Sequence, residues 1–337
     1  LESTAQALVA AGKGILAADE SLPTIGKRFA ALGIPSTEEN RRSYRELLFT
    51  TPGLGDCVSG AILFDETMRE KTGADVLMPE TLAAAGILPG VKVDKGTMTL
   101  PCFAGEKITQ GLDGLRERLS AYRELGARFT KWRAVIAIGD GLPTKTCIND
   151  NARSLALFAA LSQEAGLVPI VEPEVLMEGG HSLVRCEEVC SATLVTVFEM
   201  LFEQRVKLEG MLLKTGMVLP GKDCPQQAGL GQVAEATLRC LHRTVPAAVP
   251  GIVFLSGGQS DVVATERLNE ICRTGGVPWR LSFSFGRALQ DAAMKTWGGS
   301  PATVQAAQAA LRHRAVCNGL AVQGMYSEQS EHETVSR

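Results

Sequence analysis

The chain predicts a closed (β/α)8 barrel, and three features of its sequence carry that expectation. Eight short apolar runs recur along it, each followed by a longer segment with helical spacing, and ionisable residues gather in or just after the runs. Near-continuous apolar runs of this length suit strands buried on both faces of a parallel sheet. Strands alternating with helices imply βα units with right-handed crossovers, and eight of them close a barrel. A doubly wound open sheet is the fallback.

Taken in order, the runs are 14–20 (GILAADE), 58–64 (VSGAILF), 90–94 (GVKVD), 129–135 (FTKWRAV), 167–174 (LVPIVEPE), 208–214 (LEGMLLK), 251–256 (GIVFLS) and 281–285 (LSFSF). Between them, Ser36 with Glu39 has the spacing of a capping box before a helix over 40–49. Leu112, Leu115, Leu119 and Tyr122 form a stripe at helical spacing, and Gly126 suits its end. Asn149 or Asp150 is placed to cap a helix carrying Leu155, Phe158 and Leu161 that stops near Gly166. No linker divides the chain, so residues 1–326 form one barrel domain. Residues 327–337 (SEQSEHETVSR) lack large apolar side chains and are expected to be a mobile polar tail.

The charge balance argues against several functions. Lys and Arg total 34 against 37 Asp and Glu, with no polybasic run, so neither nucleic acid nor a membrane is an expected partner. The apolar runs are too short for a membrane-spanning helix. Nine scattered cysteines without a C-x-x-C pair read as free thiols in a reducing compartment. His181, His242, His313 and His332 form no ligand-spaced cluster, so no metal is expected. No P-loop and no G-x-G-x-x-G after a strand points to a nucleotide cofactor.

Chemistry in such a barrel collects at the C-terminal ends of the strands. Asp19 ends the first run, Asp94 and Lys95 the third, Glu172 and Glu174 the fifth and Lys214 the sixth, while Lys131 and Arg133 lie in the fourth. Residues two apart share a strand face, so Lys131 with Arg133, and Glu172 with Glu174, point the same way. One inward charge is commonly structural; this many converging on one mouth suggest a site with tuned pKa values. A lysine that attacks a ketone must be neutral. An ordinary pKa of about 10.4 needs roughly 4–5 kcal/mol of differential stabilisation to reach 7. Apolar neighbours Met211, Leu212 and Leu213 and a second cation, Lys131, push Lys214 that way. A carboxylate such as Glu172 can then move protons. Trp132 reads as barrel packing.

Ser256-Gly257-Gly258 follows the seventh run and Gly286-Arg287 the eighth, the usual phosphate loops of this fold. Glycines admit backbone N–H groups to a phosphate, and Arg adds a charge-assisted fork. A second basic set comprises Lys27, Arg28, Arg41, Arg42, Lys95 and Arg133. Two separated cationic sites suit a substrate phosphorylated at both ends.

The motifs GKGILAADES (12–21), TEENRR (37–42), KVDKG (92–96), TQGLDGL (109–115), KWR (131–133), GLVPIVEPE (166–174), EGMLLK (209–214), FLSGGQS (254–260) and SFSFGRALQ (282–290) resemble class I fructose-bisphosphate aldolases, in family order over nearly the whole chain. The resemblance implies reversible cleavage of fructose 1,6-bisphosphate to dihydroxyacetone phosphate and glyceraldehyde 3-phosphate, without cofactor, in a homotetramer. It implies that Lys214 forms a Schiff base, that Glu172 is the acid/base, and that Asp19 and Lys131 orient hydroxyls and stabilise Glu172. It assigns the one-phosphate to Ser256, Gly257, Gly258, Ser284, Gly286 and Arg287, and the six-phosphate to Ser21, Thr24, Lys27, Arg28, Lys95 and Arg133, with Glu174 beside the substrate. Phrases 47–53 and 281–290 resemble cytosolic plant members, and 241–251 and 297–301 plastid ones. The expectation is cytosol, with the plastid stroma the alternative if a transit peptide precedes Leu1.

Departures from the family pattern are Thr215-Gly216 after the lysine, Leu22-Pro23, and Met68-Arg69-Glu70. The family's tail ends in a Tyr that assists enamine protonation, whereas the last Tyr here is Tyr326. Without such a Tyr, slower protonation and a weaker preference for the bisphosphate over fructose 1-phosphate are expected. A related aldolase preferring sedoheptulose 1,7-bisphosphate or fructose 1-phosphate is the alternative. A non-catalytic scaffold is the distant third, since none of the catalytic charges is lost.

Overall fold

The computed structural model describes residues 1–332, and its eight parallel strands close into a barrel. They are β1 Gly14–Ala18, β2 Val58–Leu63, β3 Leu88–Lys92, β4 Phe129–Ile136, β5 Val168–Val175, β6 Leu212–Thr215, β7 Gly251–Phe254 and β8 Arg280–Phe285. Each pairs with its neighbours in sequence, and β1 pairs with β8 through Ile15–Ser284 and Leu16–Phe285, so no edge is left. The fold expectation is met, and the open-sheet fallback is excluded. The sixth run differs in its first half: Leu208–Gly210 is a 3-10 turn and only Leu212 onward is strand. An antiparallel ribbon, Thr97–Thr99 with Lys107–Thr109, sits outside the barrel.

Alternate residues on the strands face different cores. Ile15, Ala17, Ile62, Phe129, Val168, Ile170, Leu212 and Val253 fill the barrel's lower interior, where helix Glu2–Leu8 adds Ala5 and Leu8. Their neighbours Leu16, Val91, Trp132, Val171, Leu213 and Phe254 face outward, against the helices. Trp132 stacks on Phe158 at 5.6 Å, as barrel packing. Going up the inside, Phe129 is followed by Lys131 and Arg133, Ile170 by Glu172 and Glu174, and Leu212 by Lys214. The interior thus turns from apolar floor to charged mouth.

Several helix starts differ from expectation. Thr37, not Ser36, caps helix Glu38–Phe49, its hydroxyl accepting from Asn40 N at 3.1 Å. Thr144 caps helix Lys145–Glu164, which leaves Asn149 and Asp150 inside it. Thr144 prevails because Glu106 holds both its N–H (2.7 Å) and its hydroxyl (2.6 Å). Leu112 precedes helix Leu115–Glu124, and the φ of +94° at Gly126 ends its turn. In the polar tail, Glu328–His332 is a helix with Ser330 buried and Glu331 paired to Arg314. The rest of the expected tail, 333–337, lies outside the described residues.

Candidate active site

The mouth is a cavity of about 400 Å³ at the C-terminal ends of the strands. Each inward strand position brings its side chain there without a special loop. Lys131 Nζ donates to Asp19 Oδ2 at 2.8 Å and stands 2.9 Å from Glu172 Oε2, an ion pair without hydrogen-bond angles. Lys214 Nζ lies 3.3 Å from the other oxygen, Glu172 Oε1. All four residues are buried.

Burial and partners act differently on the two lysines. For Lys131, burial opposes the charge, but Asp19 and Glu172 outweigh it and raise the pKa above the ordinary lysine value. For Lys214, burial is the largest influence; Glu172 opposes it and the Lys131 charge reinforces it, and the pKa falls. Burial would raise Asp19, yet Lys131, Lys214 and Lys92 hold its carboxyl below the usual range. Glu172 is likewise lowered, burial being outweighed by Lys131 and Lys214. The arrangement keeps one lysine charged, biases the other toward the free amine, and sets an ionised carboxylate between them.

Two polar ends flank this centre. On one side Ser256, Gly257, Ser284, Gly286 and Arg287 line the cavity. Gly257 and Gly258 have φ of +54° and +83°, a backbone that favours glycine. Gly286 precedes helix Arg287–Trp297, whose first N–H groups favour an anion. Ser284 Oγ is buried with no protein partner among the described residues. Gly258 is not in the lining; a Cβ there would lie 3.1 Å from Lys222 Nζ and 3.3 Å from Arg287 Nη2, so two cations crowd this glycine.

On the other side Ser21, Thr24, Lys27, Arg28, Arg133 and Glu174 line the cavity. Ser21 Oγ and Thr24 Oγ1 are 3.0 Å apart. Arg133 Nε donates to Glu174, and Arg28 is tied to Glu20 and, at 2.6 Å, to Asp291. Lys95 does not line the cavity. The chain leaves β3 at Lys92, and Lys95 is exposed where the outer ribbon begins. Lys92 takes the inward position, 3.5 Å from Asp94. Lys92 and Glu20 were missed as lining residues, although Lys92 sits two before Asp94 in the expected strand. Lys222 has no local signal; its loop is fastened across the barrel end by Lys222 N to Met177 O and Gly221 N to His181 O, each 2.8 Å.

Away from the mouth, one of the four histidines, His313, meets Cys317 and Glu331, the three donor atoms lying within 4.8 Å of one another; none of them lines the cavity.

Fold and mouth together have the form of a (β/α)8 enzyme built around buried lysines. A family description, "Glycolytic: Fructose-bisphosphate aldolase class-I", matches residues 1–337, and the chain belongs to that family, whose members are lyases. A "Probable fructose-bisphosphate aldolase class 1" from Xanthomonas campestris pv. campestris is 57% identical over 97% of this chain and 98% of its own length. Two relatives, each 50% identical, are a chloroplastic aldolase 1 of Chlamydomonas reinhardtii and a cytosolic aldolase 4 of Arabidopsis thaliana. They match 98% and 95% of this chain and 87% and 82% of their own lengths. The solved fructose-bisphosphate aldolase of Plasmodium falciparum, in complex with TRAP and a small-molecule inhibitor, superposes with a TM-score of 0.96. It shares 50% identity, with 97% of this chain and 94% of that chain covered. No described helix is long and apolar enough to cross a membrane.

Proposed function

We propose that this chain cleaves fructose 1,6-bisphosphate reversibly through a Schiff base on Lys214. The observation that carries the reading is the sharing of Glu172 by two lysines with opposite pKa shifts. The neutral Lys214 amine attacks the C2 ketone. Proton transfer through Glu172 expels water from the carbinolamine and leaves an iminium. A carboxylate then takes the C4 hydroxyl proton, the C3–C4 bond breaks into the iminium, and the aldehyde leaves. The enamine takes a proton at C3, and water releases dihydroxyacetone phosphate. Lys131, kept charged, and Asp19 orient hydroxyls and hold Glu172.

Ser256, Gly257, Gly258, Ser284, Gly286 and Arg287 would hold the phosphate on C1. Ser21, Thr24, Lys27, Arg28 and Arg133 would hold the far phosphate, with Lys92 in the place first given to Lys95 and Glu174 aligning Arg133. No cofactor takes part in this scheme. Trapping tests it: incubate with dihydroxyacetone phosphate, reduce with borohydride and map the peptide. An adduct on Lys214 supports the reading; folded protein with no adduct there sinks it.

The family resemblance also supports a homotetramer in the cytosol. Phe202, 83% exposed, lies on helix Leu183–Glu203 with exposed Val184 and Val195, and such a face suits a subunit contact. Sedimentation of the native chain checks the assembly.

A further inference from the structure

Helix Val304–Val322 and helix Glu328–His332 meet in a cluster that the proposed reaction does not use. His313 and Cys317 are four apart on the first helix and so share a face. His313 Nε2 lies 3.6 Å from Cys317 Sγ and 3.7 Å from Glu331 Oε2, and the three donor atoms all fall within 4.8 Å of one another. Zinc bonds of roughly 2.0–2.1 Å to nitrogen or oxygen and 2.3 Å to sulfur, at tetrahedral angles, put N and S about 3.6 Å apart and N and O about 3.4 Å apart. Two of the cluster's edges therefore match a tetrahedral site closely, and the third, from Cys317 Sγ to Glu331, lies within 4.8 Å.

We propose that His313, Cys317 and Glu331 bind a thiophilic divalent cation of the zinc type, with water as fourth ligand, and that the bound ion fastens helix Glu328–His332 to helix Val304–Val322. The surroundings supply the outer support such sites use. Glu331 Oε1 accepts from Tyr326 Oη at 2.5 Å, and both Glu331 oxygens accept from Arg314. Arg314 does not depend on Glu331, because it also donates to Thr265 Oγ1 at 2.6 Å and to Asp261 O. Binding converts the Cys317 thiol to thiolate, releases its proton to solvent and breaks the 3.5 Å contact to Ser330 O. One thiol proton leaves for each ion bound. The cation, thiolate, carboxylate and Arg314 together carry one net positive charge, which the water ligand and exposed side of the cluster can solvate.

The test is titration of the chelator-stripped full chain with Co²⁺, then with Zn²⁺ in competition. The expected result is one Co²⁺ per chain, a tetrahedral visible spectrum, a thiolate-to-cobalt charge-transfer band, and displacement by Zn²⁺. Cys317→Ser abolishes the band, while Cys102→Ser, at an exposed thiol, keeps it. His313→Ala, at a partly exposed site that does not threaten folding, weakens binding at least tenfold. Amide exchange over 328–332 slows with Zn²⁺ in the parent and not in His313→Ala. Absence of the band, its survival in Cys317→Ser, or unchanged exchange on saturation overturns the proposal.

Discussion

Lys131 and Lys214 stand on opposite oxygens of one carboxylate: Lys131 Nζ is 2.9 Å from Glu172 Oε2, and Lys214 Nζ is 3.3 Å from Oε1. Lys131 has a second carboxylate in contact, Asp19 at 2.8 Å, whereas among the described residues Lys214 contacts Glu172 alone and feels Asp19 only at longer range. That difference separates two chemically identical amines inside one cavity.

Lys131→Met removes the cation that helps hold Lys214 neutral. The Lys214 pKa should rise, because Glu172 then serves Lys214 alone. The rate of borohydride trapping, followed against pH, should move its midpoint to higher pH. An unmoved profile would mean that burial alone tunes Lys214.

Glu172→Gln keeps the shape but loses the proton acceptor. Turnover should fall by about 10²–10⁴-fold, the usual worth of a general acid/base. Trapping should continue, more slowly, since the neutral amine remains. Steady-state kinetics beside peptide mapping separate these effects; near-normal turnover would remove Glu172 from the mechanism.

The two phosphate ends should separate by substrate. Arg287→Ala should raise KM about tenfold for both fructose 1,6-bisphosphate and fructose 1-phosphate, the scale of one charged hydrogen bond. Lys92→Ala should raise KM for the bisphosphate and leave that for fructose 1-phosphate little changed. Equal effects of Lys92→Ala on both substrates would place Lys92 elsewhere.

Stability should depend on acid in a defined direction. Asp19 and Glu172 are both held below the ordinary carboxylate range when folded. Their contribution is complete above the unfolded values of about 4 and is lost as pH falls through the folded ones. Urea midpoints measured from pH 7 down to 3 should fall in the parent and fall less in Asp19→Asn. Parallel curves would show that other groups govern acid unfolding.

Phe158→Ala should cost about 3–5 kcal/mol of stability by leaving a cavity beside Trp132. The mouth lies on the other face of β4, so kcat in the folded fraction should hold. Thermal melts and activity at low temperature test the two parts.

Much of this was legible in the sequence, and the misses have physical causes. Strands buried on both faces leave near-continuous apolar runs, and charges two apart at their ends mark the inward face, so Lys131 with Arg133 and Glu172 with Glu174 could be paired by eye. Helix starts were harder, because neighbouring hydroxyls compete. Ser36 has Glu39 at capping-box spacing, yet Thr37 makes the bond. Lys95 was taken for Lys92 because the chain's exit from β3 decides which lysine turns inward, and nothing local marks that exit. Lys222 approaches Gly258 only through a loop clasped to residues 177–181, a long-range contact. His313 meets a cysteine and a glutamate, the latter from a separate helix, a grouping that histidine spacing along the chain does not display.

Closure of β1 on β8 joins Ile15 to Ser284, and Gln290 reaches back to Ala17 O at 2.6 Å and to Glu20 at 3.1 Å. The strand that leads into Asp19 pairs on one side with β2, made soon after it, and on the other with β8, made about 260 residues later. Until residue 285 has been made, the free edge of β1 has no complete partner, and until residue 287 the mouth lacks Arg287. The order of the chain therefore makes barrel closure and completion of the mouth one event, which must wait for the eighth strand and the residues just after it.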